Sequence, residues 1–169
     1  FFPILTLLSE NPSASVGALY IAPLKALIND QFERLTDLCA EGGIPVWSWH
    51  GDVAQSRKKK LLEHPSGVLQ ITPESLEAML LRKHAMIPTL FGDLRFIVID
   101  EIHSHMRSDR GLQTMCLIER LSRLAGTEPR RIGLSATIGN TTLAAEFLRS
   151  GSKRPAIVPK VDSPPVRWR

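Results

Sequence analysis

An apolar segment of the chain ends in two adjacent carboxylates and a histidine. The segment covers residues 94–99 and is followed by Asp100, Glu101 and, after one isoleucine, His103. Its last four residues are apolar and mostly β-branched, as is typical of a parallel strand buried on both faces. The carboxylates must then lie at the carboxyl end of the strand, where open α/β sheets bind ligands. An aspartate there can hold Mg²⁺ on a nucleotide, and the glutamate can polarise water. The alternative is a strand that simply ends in polar residues.

The composition is that of an ordinary globular domain. The 169 residues suffice for one domain with a core, and 43% of them are hydrophobic and 22% charged. No apolar run approaches the ~20 residues that a membrane span needs. A net charge of +4 permits an anionic partner without naming one. Cys39 and Cys116 lie in apolar helical patterns, so we expect reduced core cysteines in a cytoplasmic protein.

Strands and helices alternate along the chain. Strands are predicted at residues 17–21, 44–49, 67–71, 96–99, 131–135 and 156–158. Helices are predicted at residues 1–8, 24–40, from 52 to about 64, from 72 to about 83, 112–125 and from about 140 to 149. Such alternation favours βαβ units, and therefore a mostly parallel sheet with helices on both faces.

Several helix ends carry recognisable signals. Asp52, with Gln55 as its partner, predicts one capping box. Thr72 is predicted as another cap, with Pro73 at the first helical position. Asn140 or Thr141 would cap the last helix. Gly126 should end the helix at 112–125, while residues 87–91 and 104–110 are expected to be a connector and a polar loop.

Four polar strand ends would converge at one edge of this sheet, because parallel strands all point the same way. They are Ala-Pro-Leu-Lys at 22–25, Thr-Pro-Glu-Ser at 72–75, Asp-Glu-Ile-His at 100–103 and Ser-Ala-Thr at 135–137. One polar strand end is weak evidence for a site. Four polar strand ends with these residue types, in this order along the chain, are strong evidence for a site.

With these segments the chain resembles the first RecA-like domain of a superfamily 2 DExH-box helicase, over nearly its whole length. The similar segments are motif Ia at 22–27, motif Ib at 72–76, motif II at 100–103 and motif III at 135–137. Three further segments look closest to the large helicase-related group: His-Gly-Asp at 50–52, Arg-Gly at 110–111 and Ser-Ala-Thr-Ile-Gly-Asn at 135–140.

The resemblance implies a RecA-like P-loop NTPase fold, a three-layer α/β/α sandwich that is incomplete at its N-terminus. Residues 1–160 would form the domain, and residues 161–169 a linker toward a second RecA-like domain of the same chain. No Gly-x-x-x-x-Gly-Lys-Ser/Thr loop occurs in the sequence. The family's loop would precede Phe1, so we expect this piece alone to hydrolyse ATP negligibly.

The resemblance also assigns roles at the nucleotide. Asp100 would hold Mg²⁺ on the β- and γ-phosphates of ATP, and Glu101 would orient and deprotonate the attacking water. His103 would sense the nucleotide state and relay it to motif III. There Ser135, Ala136 and Thr137 would couple hydrolysis to domain movement.

A second set of residues would contact the sugar–phosphate backbone of a single nucleic-acid strand: Pro23, Lys25, Thr72, Pro73 and Glu74. Thr72 and Pro73 begin a helix, whose free N–H groups and dipole suit a phosphate. Such contacts position a strand without reading its sequence. The implied function is an ATP-dependent helicase or translocase on DNA rather than RNA. The alternatives are an RNA helicase and a catalytically inactive nucleic-acid-binding or regulatory module.

Other candidate residues have simpler interpretations. A zinc site at His50, His64, His103 and His105 is the competing hypothesis for the histidines, but no cysteine pairs with them at ligand spacing. The basic run at 57–60 favours a solvated helix face over a nucleic-acid patch. Trp47 and Trp49 could stack on bases, but packing in or on the sheet is the commoner use.

Overall fold

Five parallel strands form one sheet in the computed structural model, which describes residues 1–136 and 138–159. The strands are β1 (Ala18–Ile21), β2 (Val46–Trp49), β3 (Val68–Ile71), β4 (Phe96–Ile99) and β5 (Arg130–Gly133). Their order is β2-β3-β1-β4-β5, and each neighbouring pair is parallel. The predicted parallel sheet is therefore confirmed, and all strand carboxyl ends lie at one edge.

Helices connect the strands. They are α1 (Phe2–Glu10), α2 (Lys25–Ala40), α3 (Gln55–Glu63), α4 (Pro73–Arg82), α5 (Ile87–Phe91), α6 (Ile102–His105), α7 (Asp109–Ala125) and α8 (Thr141–Arg149), with a 3-10 turn at His84–Met86. In the described part of the chain, no helix combines the length and apolarity needed to cross a membrane.

Both faces of the sheet are covered. Alternate strand residues point to opposite faces, so β1, β3 and β4 each contribute to two cores. Leu19, Ile71 and Ile97 belong to the core that contains residues of α3, α4, α5 and α7, with α8 packed against it. Tyr20 and Val98 belong to the other core, with residues of α1 and α2. The predicted three-layer α/β/α arrangement is thus confirmed.

Some predicted elements differ from the structure. Residues 156–158 form no strand, and Ile157 is 82% exposed, because a β-branched run gains nothing from strand geometry without a surface to pack on. The predicted loop at 104–110 is partly helical. Ser108 caps α7 by accepting a hydrogen bond from Gly111 N at 3.2 Å, a signal that the sequence interpretation missed. The short connector predicted at residues 87–91 is the helix α5.

Two local predictions were wrong for electrostatic and packing reasons. Asp52 caps no helix, because α3 begins after Ala54 and has no side-chain cap. The carboxylate of Asp52 instead forms an ion pair with Lys25 Nζ at 3.1 Å. Cys39 is buried as predicted, but Cys116 is exposed on the outer face of α7. The caps at Thr72 and Asn140 are confirmed, as is the end of α7 at Gly126.

Candidate functional site

Asp100 lies at the carboxyl end of β4 with both carboxylate oxygens engaged. Its backbone N–H donates to Ile21 O at 2.9 Å, which continues the strand pairing by one residue. Oδ1 accepts from Glu101 N at 2.9 Å, and Oδ2 accepts from the hydroxyl of Tyr20. Two donors on different oxygens fix the plane of the carboxylate. The sequence interpretation did not identify Tyr20.

Glu101 turns the chain sharply away from the strand. Its backbone is left-handed, with φ 50° and ψ 44°, and it is the one non-glycine residue with positive φ among the described residues. This conformation costs roughly 1–2 kcal/mol in an L-residue. The following residue compensates by pairing with a neighbouring segment, since Ile102 N donates to Leu134 O at 2.9 Å. The turn lets the side chains of Asp100 and Glu101 diverge.

His103 joins the third and fourth of the converging segments. Its Nδ1 lies 2.8 Å from Ser135 Oγ and 3.1 Å from Glu101 Oε2. A protonated Nδ1 donates to these oxygens, whereas an unprotonated one accepts from the serine hydroxyl. The structure therefore brings these three residues together. Ala136 follows at the exposed edge, and Thr137 lies outside the described residues.

The second segment, at residues 72–75, begins α4 at the same edge of the sheet. Thr72 Oγ1 accepts from Ser75 N at 3.3 Å, Pro73 occupies the first turn, and Glu74 is exposed beside it. Glu74 Oε1 accepts from Arg110 Nε at 2.7 Å.

Arg110 ties this segment to the first one. Its Nη2 donates to Pro23 O at 2.6 Å, so one guanidinium spans the residues that follow β1 and β3. The sequence interpretation noted Arg110 only as part of a subgroup resemblance. Its contacts lie 36 and 87 residues away along the chain, which local pattern does not reveal.

Gly111 lets α7 approach α6 closely. A Cβ at this position would lie 1.7 Å from His105 O, which is backbone and has no room to yield. His105 itself is buried, and burial followed by the positive charge of Arg110 lowers its pKa. Gly111 thus lets α7 pack against α6, and Arg110 joins the start of α7 to the residues that follow β1 and β3.

Lys25 begins α2 at this edge, but an acidic partner accompanies it. Asp52 Oδ2 lies 3.1 Å from Lys25 Nζ, and this ion pair lowers the pKa of Asp52. Asp52 Oδ2 also lies 3.8 Å from Nδ1 of the buried His50. A phosphate at Lys25 would therefore compete with a carboxylate.

The remaining candidates fit structural interpretations. Trp49 is buried, and Trp47 Nε1 donates to Ser66 O at 2.9 Å, so both rings pack against the sheet. The basic run at 57–60 is mostly exposed on α3. Within residues 1–136 and 138–159, no three His, Cys, Asp or Glu side chains are grouped to hold a metal ion. One carboxylate is enough for Mg²⁺ that is held largely by nucleotide phosphates.

Comparison with known proteins yields one family. Residues 1–145 match the model of the DEAD/DEAH box helicase family. The chain is 34% identical over 162 residues to a protein of Mycolicibacterium smegmatis named Lhr helicase/probable uracil glycosylase. The alignment covers 89% of this chain and 10% of that protein.

Two solved structures are similar in fold. The Mycobacterium smegmatis helicase Lhr bound to ssDNA and AMP-PNP superposes with a TM-score of 0.75 and 29% identity, over 90% of this chain and 21% of that chain. The helicase MrfA bound to DNA and AMPPNP superposes with a TM-score of 0.76 and 29% sequence identity. The match covers 92% of this chain and 22% of that chain. This chain therefore spans a small part of each protein it resembles.

Proposed function

Because the chain belongs to the DEAD/DEAH box helicase family, we propose that it is part of an ATP-dependent motor that moves along a single nucleic-acid strand. The resemblance to superfamily 2 helicases of the large helicase-related group and the RecA-like fold are both confirmed. The contact that carries the proposal joins His103 Nδ1 to Glu101 Oε2 and Ser135 Oγ, beside an oriented Asp100 carboxylate.

Asp100 would hold Mg²⁺ on the phosphates of ATP. Its carboxylate fits a hard cation, because each oxygen accepts one hydrogen bond and keeps further lone pairs for a ligand. When bound, the ion would neutralise charge on the phosphates. Glu101 would orient the attacking water and take its proton, and its partly exposed carboxylate is accessible to that water.

His103 would report the state of Glu101 to the rest of the domain. Its Nδ1 faces a carboxylate oxygen and the Ser135 hydroxyl at similar distances. A change in the charge or position of Glu101 would therefore shift the hydrogen bond toward or away from Ser135. Ser135, Ala136 and Thr137 would pass that change to a second RecA-like domain, with residues 161–169 as the linker.

The nucleic-acid strand would cross the same edge of the sheet. The first turn of α4, at Thr72, Pro73 and Glu74, offers N–H groups and a helix dipole to a phosphate, and Lys25 adds a charge at the start of α2. Pro23 would act through its backbone, whose carbonyl Arg110 already fixes. DNA is favoured over RNA because the structures of Lhr and MrfA, each 29% identical to this chain, hold DNA. We expect such a motor in the cytoplasm, where ATP and DNA are both available.

The test is ATP turnover by the full-length protein with and without single-stranded DNA. Glu101→Gln should lower turnover by about 10²- to 10⁴-fold, the usual worth of a general base, and retain ATP binding. The matched control is Glu63→Gln at the exposed end of α3, which makes the same chemical change and should be neutral.

The outcomes separate the alternatives. Unchanged turnover in Glu101→Gln would remove the proposed base. Stimulation by single-stranded RNA instead of DNA would favour the RNA helicase. Strand binding with no turnover in the wild type would favour the inactive module. If backbone contacts dominate, strand affinity should fall steeply with salt.

A further inference from the structure

Tyr20 is a buried polar residue that packing alone does not require. It is the one tyrosine of the sequence and lies in β1, opposite Val98 of β4, with 1% of its surface exposed. Its ring belongs to the core under α1 and α2 and lies 5.6 Å from the ring of Phe1. A phenylalanine would fill this space equally well.

The hydroxyl of Tyr20 has a specific acceptor. It donates to Asp100 Oδ2 across the two central strands. An unpaired phenol would be costly in this core, so the hydrogen bond is what makes a tyrosine tolerable here. Burial, reinforced by that hydrogen bond and by the charges of Asp100 and Glu101, raises the pKa of Tyr20 well above its ordinary value. The phenol is therefore a protonated donor at any physiological pH.

The two donors to Asp100 act on different oxygens. The N–H of Glu101 holds Oδ1 and the hydroxyl of Tyr20 holds Oδ2. Rotation about the last bond of an aspartate is otherwise broad, so one donor alone leaves the second oxygen free to swing. The Glu101 donor belongs to the left-handed turn that follows β4, whereas Tyr20 lies within β1 and is buried in the sheet.

We propose that Tyr20 is a positioning residue that holds the Asp100 carboxylate in the orientation needed for Mg²⁺·nucleotide. The inference rests on the proposed function, since it assigns Tyr20 to the same carboxylate. A carboxylate that is already held in place binds Mg²⁺·nucleotide more tightly, because rotation of the Asp100 side chain does not have to be restricted on binding. Metal-free nucleotide makes no use of this orientation.

The experiment compares Tyr20→Phe with wild type in the full-length protein. Equilibrium titration of a fluorescent, non-hydrolysable ATP analogue is measured with Mg²⁺ and with EDTA. We expect Tyr20→Phe to weaken binding about 10- to 150-fold with Mg²⁺, the factor for losing one hydrogen bond to a charged group, and less than about twofold in EDTA. Thr114→Val is the matched control, because it also deletes one buried hydroxyl, within α7.

A double-mutant cycle tests whether Tyr20 acts through Asp100. Tyr20→Phe should add little in an Asp100→Asn background, since the lost acceptor charge removes the benefit. Equal weakening with and without Mg²⁺, or full additivity with Asp100→Asn, would show a structural role and overturn the inference. A wild type that binds nucleotide without any response to Mg²⁺ would instead refute the proposed function.

A second variant covers the case in which Tyr20→Phe does not fold. 4-Aminophenylalanine at position 20 keeps the ring and places an N–H donor where the hydroxyl donates to Asp100 Oδ2. This variant should keep the Mg²⁺-dependent nucleotide affinity of wild type. Loss of the Mg²⁺ dependence in a folded variant that retains the donor would contradict the role of Tyr20.

Discussion

Replacing Arg110 with alanine should loosen two predicted nucleic-acid segments at once. The guanidinium donates to Glu74 Oε1 at 2.7 Å and to Pro23 O at 2.6 Å. These acceptors follow β3 and β1, which are neighbours in the sheet. An alanine side chain reaches neither acceptor, so the first turn of α4 and the residues after β1 lose their shared anchor.

The size of the effect follows from the exposure of the two contacts. The side chains of Arg110 and Glu74 are 38% and 62% exposed, so this ion pair contributes only about 0.2–1 kcal/mol. The bond to the carbonyl of Pro23 is partly buried and charge-assisted, and contributes roughly 1.5 kcal/mol or more. The unfolding free energy should therefore fall by about 2 kcal/mol.

Binding of a strand should suffer as well. A nucleic acid that meets unanchored segments has to order them, at about 1–2 kcal/mol for each residue fixed. One such residue corresponds to roughly 5- to 30-fold weaker affinity. Arg110→Lys should be intermediate, because an ammonium group lacks the planar fork that serves two acceptors.

Fluorescence anisotropy with labelled single-stranded DNA and thermal melting of the full-length protein measure the two effects. Arg123→Ala is the control, since it removes the same charge from the last turn of α7, far from the strand ends. If Arg110→Ala melts earlier than wild type but binds DNA equally tightly, the arginine stabilises the fold and does not prepare the binding segments.

Two further predictions concern the cap of α4 and the buried histidines. Thr72→Ala should lower the unfolding free energy by about 1 kcal/mol and weaken DNA binding, whereas Thr72→Ser should retain both, as denaturant titration and anisotropy would show. Burial lowers the pKa of His50 and of His105 in the folded protein. Below the unfolded-state pKa of about 6.5 the unfolded chain therefore binds protons that the folded chain does not, so stability should fall as pH drops below that value. Denaturant midpoints should decrease from pH 7.5 to 5.5, and less steeply in His105→Gln.

The fold was predictable because its signals are local. Short apolar runs alternate with helical patterns, and that alternation leaves a parallel sheet as the simplest arrangement. The strand predicted at 156–158 was wrong because that prediction used only the local pattern. The run is apolar, but its side chains have no surface to pack on. Asp52 matched a capping pattern, yet Lys25, 27 residues earlier, binds it instead. Local patterns contain no information about such partners.

The candidate site was predictable only in part. Asp100, Glu101, His103 and Ser135 meet as expected, because a parallel sheet brings its carboxyl ends together. The second donor to the Asp100 carboxylate, which comes from β1, was not foreseen. Its identity depends on β1 lying beside β4, and strand order leaves no local trace in the sequence. A hydroxyl within an otherwise apolar strand was the one available hint.

The position of β1 gives the two halves of the site a common support. β1 lies between β3, which leads into α4, and β4, which is followed directly by Asp100. From this strand Tyr20 contacts the nucleotide-side carboxylate, and three residues later the carbonyl of Pro23 contacts Arg110 and through it the start of α4. A small shift at the end of β1 must therefore change both contacts together. Under the proposed function, coupling between strand binding and hydrolysis would have a route through β1 that does not pass through His103. A variant that blocks the histidine route should then reduce stimulation by DNA without abolishing it.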